Sequence, residues 1–201
     1  MFYMNFLHET QQKLDSYESL LLNWNKKINL IGYETRKNIW ERHFLDSAQL
    51  FYYIPKGVKK ILDIGSGAGF PGLILSVLGV KGIILLDKSS KKCIFLKELS
   101  RSLNISIKIE CFSVEKFFHS TVDVIVSRAF SSLSKLLNVS YPFLFSKTLV
   151  LCMKGKNYYK ELEDARKKWT FYVKLLASQT NCYSKIIQLH SINKKSFIKN
   201  S

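Results

Sequence analysis

Four of the nine glycines fall within eight residues, in Asp63-Ile-Gly65-Ser-Gly67-Ala-Gly69-Phe70-Pro-Gly72. Such a loop admits a ligand close to the backbone and, at the start of a helix, offers free N–H groups to it. Gly67-Ala-Gly69-Phe-Pro-Gly72 matches the G-x-G-x-x-G dinucleotide fingerprint, and Asp87 stands twenty residues after Gly67. Counted from Gly65, the triplet Gly65/Gly67/Gly69 has steps of two, a register awkward for a pyrophosphate. In either register a carboxylate at Asp87 suits the paired hydroxyls of a ribose. Three further segments carry polar chemistry: Ser113-Val114-Glu115, Ser127-Arg128-Ala129, and Arg42-His43 with Asp46 three residues on. Glu115 reads as a ligand contact or a solvated loop acid. Arg128 reads as a site residue or a surface ion-pair partner. His43 and Asp46 share a helix face, as positioning groups or as a clasp between helices and sheet, with Asp46 holding His43 or Arg42. Asp123 suits the entry of a strand.

These segments need elements to hold them. Leu14, Tyr17, Leu21, Trp24 and Ile28 recur at helical steps. A second helix is predicted after Tyr33, with Thr35 as its N-cap, running through Ile39, Phe44 and Ala48. Beyond Pro55-Lys56-Gly57 the rhythm changes. Strands are predicted over 60–64, 82–87, 105–111, 122–127 and 148–153. Helices are predicted over 71–78, 90–103, 133–144 and 158–168. Two last strands, 171–176 and 183–192, are close enough to form an antiparallel edge hairpin. The expected fold is α/β with a mostly parallel sheet, buried on both faces. Residues 1–57 form an N-terminal helical extension and residues 58–201 the ligand-binding domain. In such sheets ligands gather at the carboxyl ends of the strands, where the glycine loop, Asp87, Ser113-Val114-Glu115 and Ser127-Arg128-Ala129 converge.

Asp63-x-Gly-x-Gly-x-Gly at the end of the first strand resembles motif I of class I (Rossmann-like) S-adenosylmethionine-dependent methyltransferases. Within that class the chain resembles the bacterial small-subunit ribosomal RNA methyltransferase G family. The resemblance rests on Trp24-Asn25-Lys26…Asn29-Leu30, Arg42-His43-Phe-Leu-Asp46-Ser47, the glycine loop, Leu86-Asp87, Ser127-Arg128-Ala129 and Lys154-Gly155, in family order. It implies transfer of a methyl group from S-adenosyl-L-methionine to N7 of a guanine in the 530 loop of 16S ribosomal RNA. It also implies cofactor contacts at Gly65, Gly67, Gly69, Phe70, Val114, Glu115 and Arg128, with Asp87 on the ribose. Guanine N7 carries a free lone pair, so in-line attack needs alignment rather than a general base. His43, Asp46 and Arg128 then act as positioning residues. Ile31 departs from the family's usual Thr at that place.

The charge agrees with a polyanionic partner. The chain has 31 Lys+Arg against 15 Asp+Glu, net +16. Residues 1–57 hold 7 basic and 6 acidic residues, and no Asp or Glu follows Asp164. The sheet domain is therefore the expected RNA-facing surface, with the N-terminal helices as a near-neutral lid. RNA-binding candidates are Arg42, His43, Lys154 (which alternatively just flanks Gly155), Lys167, Lys168, Lys194 and Lys195. The partner is 16S ribosomal RNA or the small ribosomal subunit. The four scattered cysteines form no zinc pattern, no metal is expected, and reduced thiols suit a cytoplasmic protein. No apolar run is long enough to span a membrane. Two other readings compete: an NAD-dependent oxidoreductase, on the literal dinucleotide fingerprint, and a non-catalytic RNA-binding protein of methyltransferase fold.

Overall fold

The apolar runs become five parallel strands: β1 (Ile61–Ile64), β2 (Ile83–Leu86), β3 (Lys108–Glu110), β4 (Val124–Arg128) and β5 (Leu149–Lys154). β6 (Trp169–Ala177) and β7 (Lys185–Lys194) complete the sheet as an antiparallel hairpin, in the order β3-β2-β1-β4-β5-β7-β6. The computed structural model describes residues 7–117 and 121–195. The helices are α1 (His8–Asn25), α2 (Asp46–Ala48), α3 (Gly72–Val77), α4 (Ser90–Ser102), α5 (Leu133–Ser140) and α6 (Tyr158–Arg166). None in the described residues is long and apolar enough to cross a membrane. β1 and β4 lie side by side although α3, β2, α4 and β3 separate them in the chain. Strand order reverses there, which opens a crevice at their carboxyl ends.

Alternation along each strand sends side chains to two cores. Ile61 joins Leu73, Phe95 and Leu96 on one face, while Leu62 joins Ile125, Leu137 and Trp169 on the other. α1 belongs to the first core. Its Leu14, Tyr17 and Leu21 are fully buried there, each worth about 1.5–3 kcal/mol of transfer free energy. The Tyr17 hydroxyl donates to the Ala68 carbonyl at 2.5 Å, inside the glycine loop. The N-terminal helix thus packs directly on one face of the sheet domain.

Several boundaries differ from the sequence expectation, each for a local reason. Ile105 N–H donates to Ser100 O, so residues expected in β3 still close the end of α4. The 133–144 helix ends at Ser140 because Pro142 follows, and a 3₁₀ turn (Tyr141–Phe143) takes over. The second N-terminal helix is not regular. A 3₁₀ turn (Tyr33–Asn38), a π-helical stretch (Trp40–Leu45), α2 and another 3₁₀ turn (Gln49–Tyr53) succeed one another. Gly32, not Thr35, precedes its first turn, and the Thr35 hydroxyl donates back to Gly32 O at 2.9 Å. Asp123 does hold the strand entry: its Oδ2 accepts the Lys59 and Lys60 N–H groups at 2.7 and 2.9 Å.

Candidate active site

The glycine loop leaves β1 and is tied at once to β2. Gly65 and Ser66 N–H both donate to Leu86 O, at 2.9 and 3.1 Å. Asp87 continues the tie: Oδ2 accepts Gly67 N–H and Oδ1 accepts Ser89 N–H, each at 2.9 Å. Its carboxylate is thereby fixed at the lip of a cavity of about 380 Å³, lined also by Gly65, Ser113, Val114, Glu115 and Phe130. This volume falls within the usual range for small-ligand pockets, about 300–1,000 Å³. Gly65 has φ +75°, and a Cβ there would come within 2.5 Å of the Phe130 ring. Two carboxylates, an apolar floor and a bare backbone approach suit a cationic adenosyl ligand.

A second cleft, about 520 Å³, opens on the other side of Ala129, which lines both. Ala129 adopts φ +52° as the chain leaves β4. Arg128 is the hub of this cleft. Its guanidinium donates to Arg42 O at 2.9 Å and to His43 Nδ1 at 2.7 Å, and it meets Asp46 Oδ2 at 3.5 Å. It also lies 4.8 Å above the Phe70 ring, a cation–π contact that strengthens away from water. The His43 ring stacks on Phe70 at 5.1 Å, and Phe70 stacks in turn on Tyr17.

The protonation states follow from these bonds. Nδ1 of His43 accepts from an arginine that is always a donor. The proton therefore sits on Nε2, which donates to Thr35 Oγ1 at 2.8 Å. Burial, then the Arg128 and Arg42 charges, lower the His43 pKa to about 3, so the ring is neutral. Asp46 does not hold His43 or Arg42, as the sequence suggested. Its Oδ1 instead accepts from Thr180 Oγ1 at 2.5 Å and Gln49 Nε2 at 3.0 Å, because the fold brings the β6–β7 loop alongside. Burial raises the Asp46 carboxyl, against the opposing Thr180 hydrogen bond and Arg128 charge. Beneath the glycine loop, Asp63 accepts Gly72 N–H at 2.9 Å while its Oδ1 has no partner among the described residues. Burial raises its pKa to about 7.

The structure gathers Gly65, Asp87, Val114 and Glu115 at the first cavity and Arg42, His43, Asp46, Arg128 and Lys154 at the second. Gly67 supports Asp87 through its N–H. Gly69 and Phe70 line neither: Gly69 packs against Tyr17, and Phe70 is buried as the platform under Arg128 and His43. Lys154 is buried, donates to Ser131 O and pairs with Glu161 at 2.8 Å. Lys167, Lys168, Lys194 and Lys195 are exposed and outside the cleft, and Lys167 pairs with Asp164. Thr35, Gln49, Phe130, Glu161 and Thr180 are site residues that the sequence did not single out. Phe130 was within reach, as the residue after Ser-Arg-Ala at a strand end. The rest converge only through tertiary structure.

The sheet order and paired cavities define a class I S-adenosylmethionine-dependent methyltransferase fold. An O-methyltransferase from Bacillus cereus, in complex with SAH, superposes with TM-score 0.58 at 12% identity, covering 88% of this chain and 91% of that one. A mutant of MtNAS in complex with S-adenosylmethionine also superposes with TM-score 0.58, at 10% identity, covering 90% and 76%. Residues 10–190 match the family model described as rRNA small subunit methyltransferase G, and the chain belongs to that family. Among its relatives are proteins named ribosomal RNA small subunit methyltransferase G. That of Rickettsia typhi is 40% identical over 186 residues, covering 92% of this chain and 96% of the relative. That of Rhodospirillum rubrum is 37% identical over 186 residues, covering 92% of each.

Proposed function

We propose that this protein transfers a methyl group from S-adenosyl-L-methionine to N7 of a guanine in the 530 loop of 16S ribosomal RNA. The cofactor supplies an electrophilic methyl on a sulfonium. Asp87, held by two backbone N–H groups, receives the ribose hydroxyls, and Val114 and Glu115 flank the adenine. The acceptor base enters the cleft on the far side of Ala129, so that small residue sets how closely donor and acceptor approach.

The observation that carries this reading is the state of the ionisable groups around the acceptor cleft. His43 is neutral with both ring nitrogens engaged. Asp46 is bound by Thr180, Gln49 and Arg128. Glu161 Oε2 accepts Leu133 N–H at 2.7 Å and pairs with Lys154. Such groups are scaffolding, suited to an acceptor that arrives with its lone pair free, as guanine N7 does. Rate enhancement then comes from alignment. His43, Asp46 and Arg128 are positioning residues here, and Arg42 at the cleft edge faces the RNA. The family relationship and the +16 charge support a 16S ribosomal RNA substrate, free or within the small subunit.

Mass-spectrometric mapping of N7-methylguanine in small-subunit RNA, with and without this protein, tests the reading. Methylation at one 530-loop guanine is expected. Absence of radiolabelled methyl incorporation into any ribosomal RNA substrate would refute it.

A further inference from the structure

One face of the hairpin that closes the sheet packs on the second core, and the other is covered along only part of its length. β6 is the outermost strand. Near the cleft, Leu176 and its partner Ile186 pack into the core that α1 also serves. Four residues back along β6, on the same face, stands Tyr172, opposite His190 on β7. The two rings stack at 5.1 Å with 12° between their planes. Neither is covered: Tyr172 is 68% exposed and His190 is exposed. Lys174, opposite Gln188, lies between this pair and the covered end and is exposed too.

A cross-strand aromatic pair by itself stiffens a hairpin. It does not require an open ring face on an edge strand beside lysine. The Tyr172 ring, already stacked on His190, leaves its other side open to a further stacking partner. The charge around it selects the kind of partner. From Trp169 to Lys195 the sequence holds four lysines and no acid, which repels a second copy of the same face and attracts a polyanion. Exposed rings interleaved with lysine are how proteins hold single-stranded nucleic acid, by stacking bases and neutralising phosphates.

We propose that Tyr172, with His190 behind it and Lys174 beside it, is a stacking platform for a single-stranded nucleotide flanking the target guanine. This rests on the RNA reading above and extends it to a second contact. Ser178, which lines the acceptor cleft, stands six residues beyond Tyr172, about 20 Å at the usual rise, a span that a few nucleotides of single strand cross.

The test compares wild type, Tyr172→Ala, Tyr172→Phe and Lys174→Gln by fluorescence anisotropy. The probe is a labelled single-stranded RNA carrying the target guanine and its flanks. Tyr172→Ala is expected to weaken binding about 10- to 100-fold, the range for losing one base stack. It should raise KM for RNA and leave kcat at saturating RNA and S-adenosylmethionine affinity unchanged. Tyr172→Phe keeps the ring face and should bind as wild type. Lys174→Gln should reduce the log–log salt slope by about 0.7, one phosphate contact. If Tyr172→Ala fails to fold, ultraviolet cross-linking of wild type decides, with the RNA adduct expected on the peptide containing Tyr172. Binding by Tyr172→Ala within twofold of wild type, or adducts only elsewhere, overturns the platform while methylation by wild type leaves the site reading intact. Tyr172-dependent binding without methylation does the reverse. A change in sedimentation with Tyr172→Ala at unaltered RNA affinity would assign the face to self-association and overturn the proposal.

Discussion

Acidification pulls two buried groups of this protein in opposite directions. His43 stays neutral in the fold down to about pH 3, whereas an exposed imidazole takes up its proton near pH 6.5. Between about pH 7 and pH 5.5 the unfolded chain therefore binds most of a proton that the folded chain refuses. Stability from this group falls by about 1 kcal/mol over that window. Asp63 behaves oppositely. Its folded pKa of about 7 lies above the ordinary carboxyl value of 3.8, so the folded chain takes up the proton first. Its contribution is full below about pH 4 and lost as pH rises through 7; over the same window acidification restores about 1.5 kcal/mol. The two nearly cancel in the wild type and separate in variants. Relative to wild type, His43→Gln should respond to acidification more favourably by about 1 kcal/mol, and Asp63→Asn less favourably by about 1.5 kcal/mol. Urea midpoints at about pH 7 and pH 5.5, at fixed ionic strength, measure both. Groups common to all three proteins subtract out. Variants whose stabilities track wild type in parallel would refute the assigned protonation of both residues.

Three further outcomes follow from the geometry. Gly65→Ala forces a Cβ onto the Phe130 ring at a positive φ; calorimetry should show S-adenosylmethionine affinity reduced at least tenfold, about 1.4 kcal/mol. Tyr17→Phe orphans the buried Ala68 carbonyl and should cost about 1–3 kcal/mol in denaturant unfolding. Thr180→Val removes the hydroxyl bound to Asp46 and should lower kcat without changing S-adenosylmethionine affinity, with Thr180→Ser restoring it.

The sheet was legible because its central strands are mostly apolar runs, and burial on both faces demands that pattern. The cofactor side was legible for a related reason. Gly65 and Asp87 sit directly after a strand, and Val114 and Glu115 follow β3 within five residues, so sequence position specifies spatial position. The acceptor side was only half legible. Arg42, His43 and Asp46 stood out as a group, but their partners did not, since Thr180 reaches Asp46 across 134 residues and Gln49 takes Gln179 N–H across 130. No periodicity encodes such pairs. The irregular winding of residues 33–53 was also illegible, because 3.6-residue spacing describes a helix without saying where its turns tighten or widen. The place of Phe70 was not legible, because a residue inside a ligand loop need not line the cavity, and this one is buried beneath Arg128 and His43.

The bond between Asp46 and the loop joining the last two strands sets an order of completion during synthesis. Residues 64–135 supply the whole cofactor-side cavity, and they leave the ribosome well before β7, whose insertion between β5 and β6 finishes the sheet. Until that strand docks, Thr180 and Gln179 cannot reach Asp46 and Gln49, and the acceptor cleft lacks one wall. A nascent or C-terminally nicked chain thus retains every residue that lines the first cavity but lacks part of the lining of the second. Among the described residues, the last strand made is therefore the one that brings the second cleft's final wall into place.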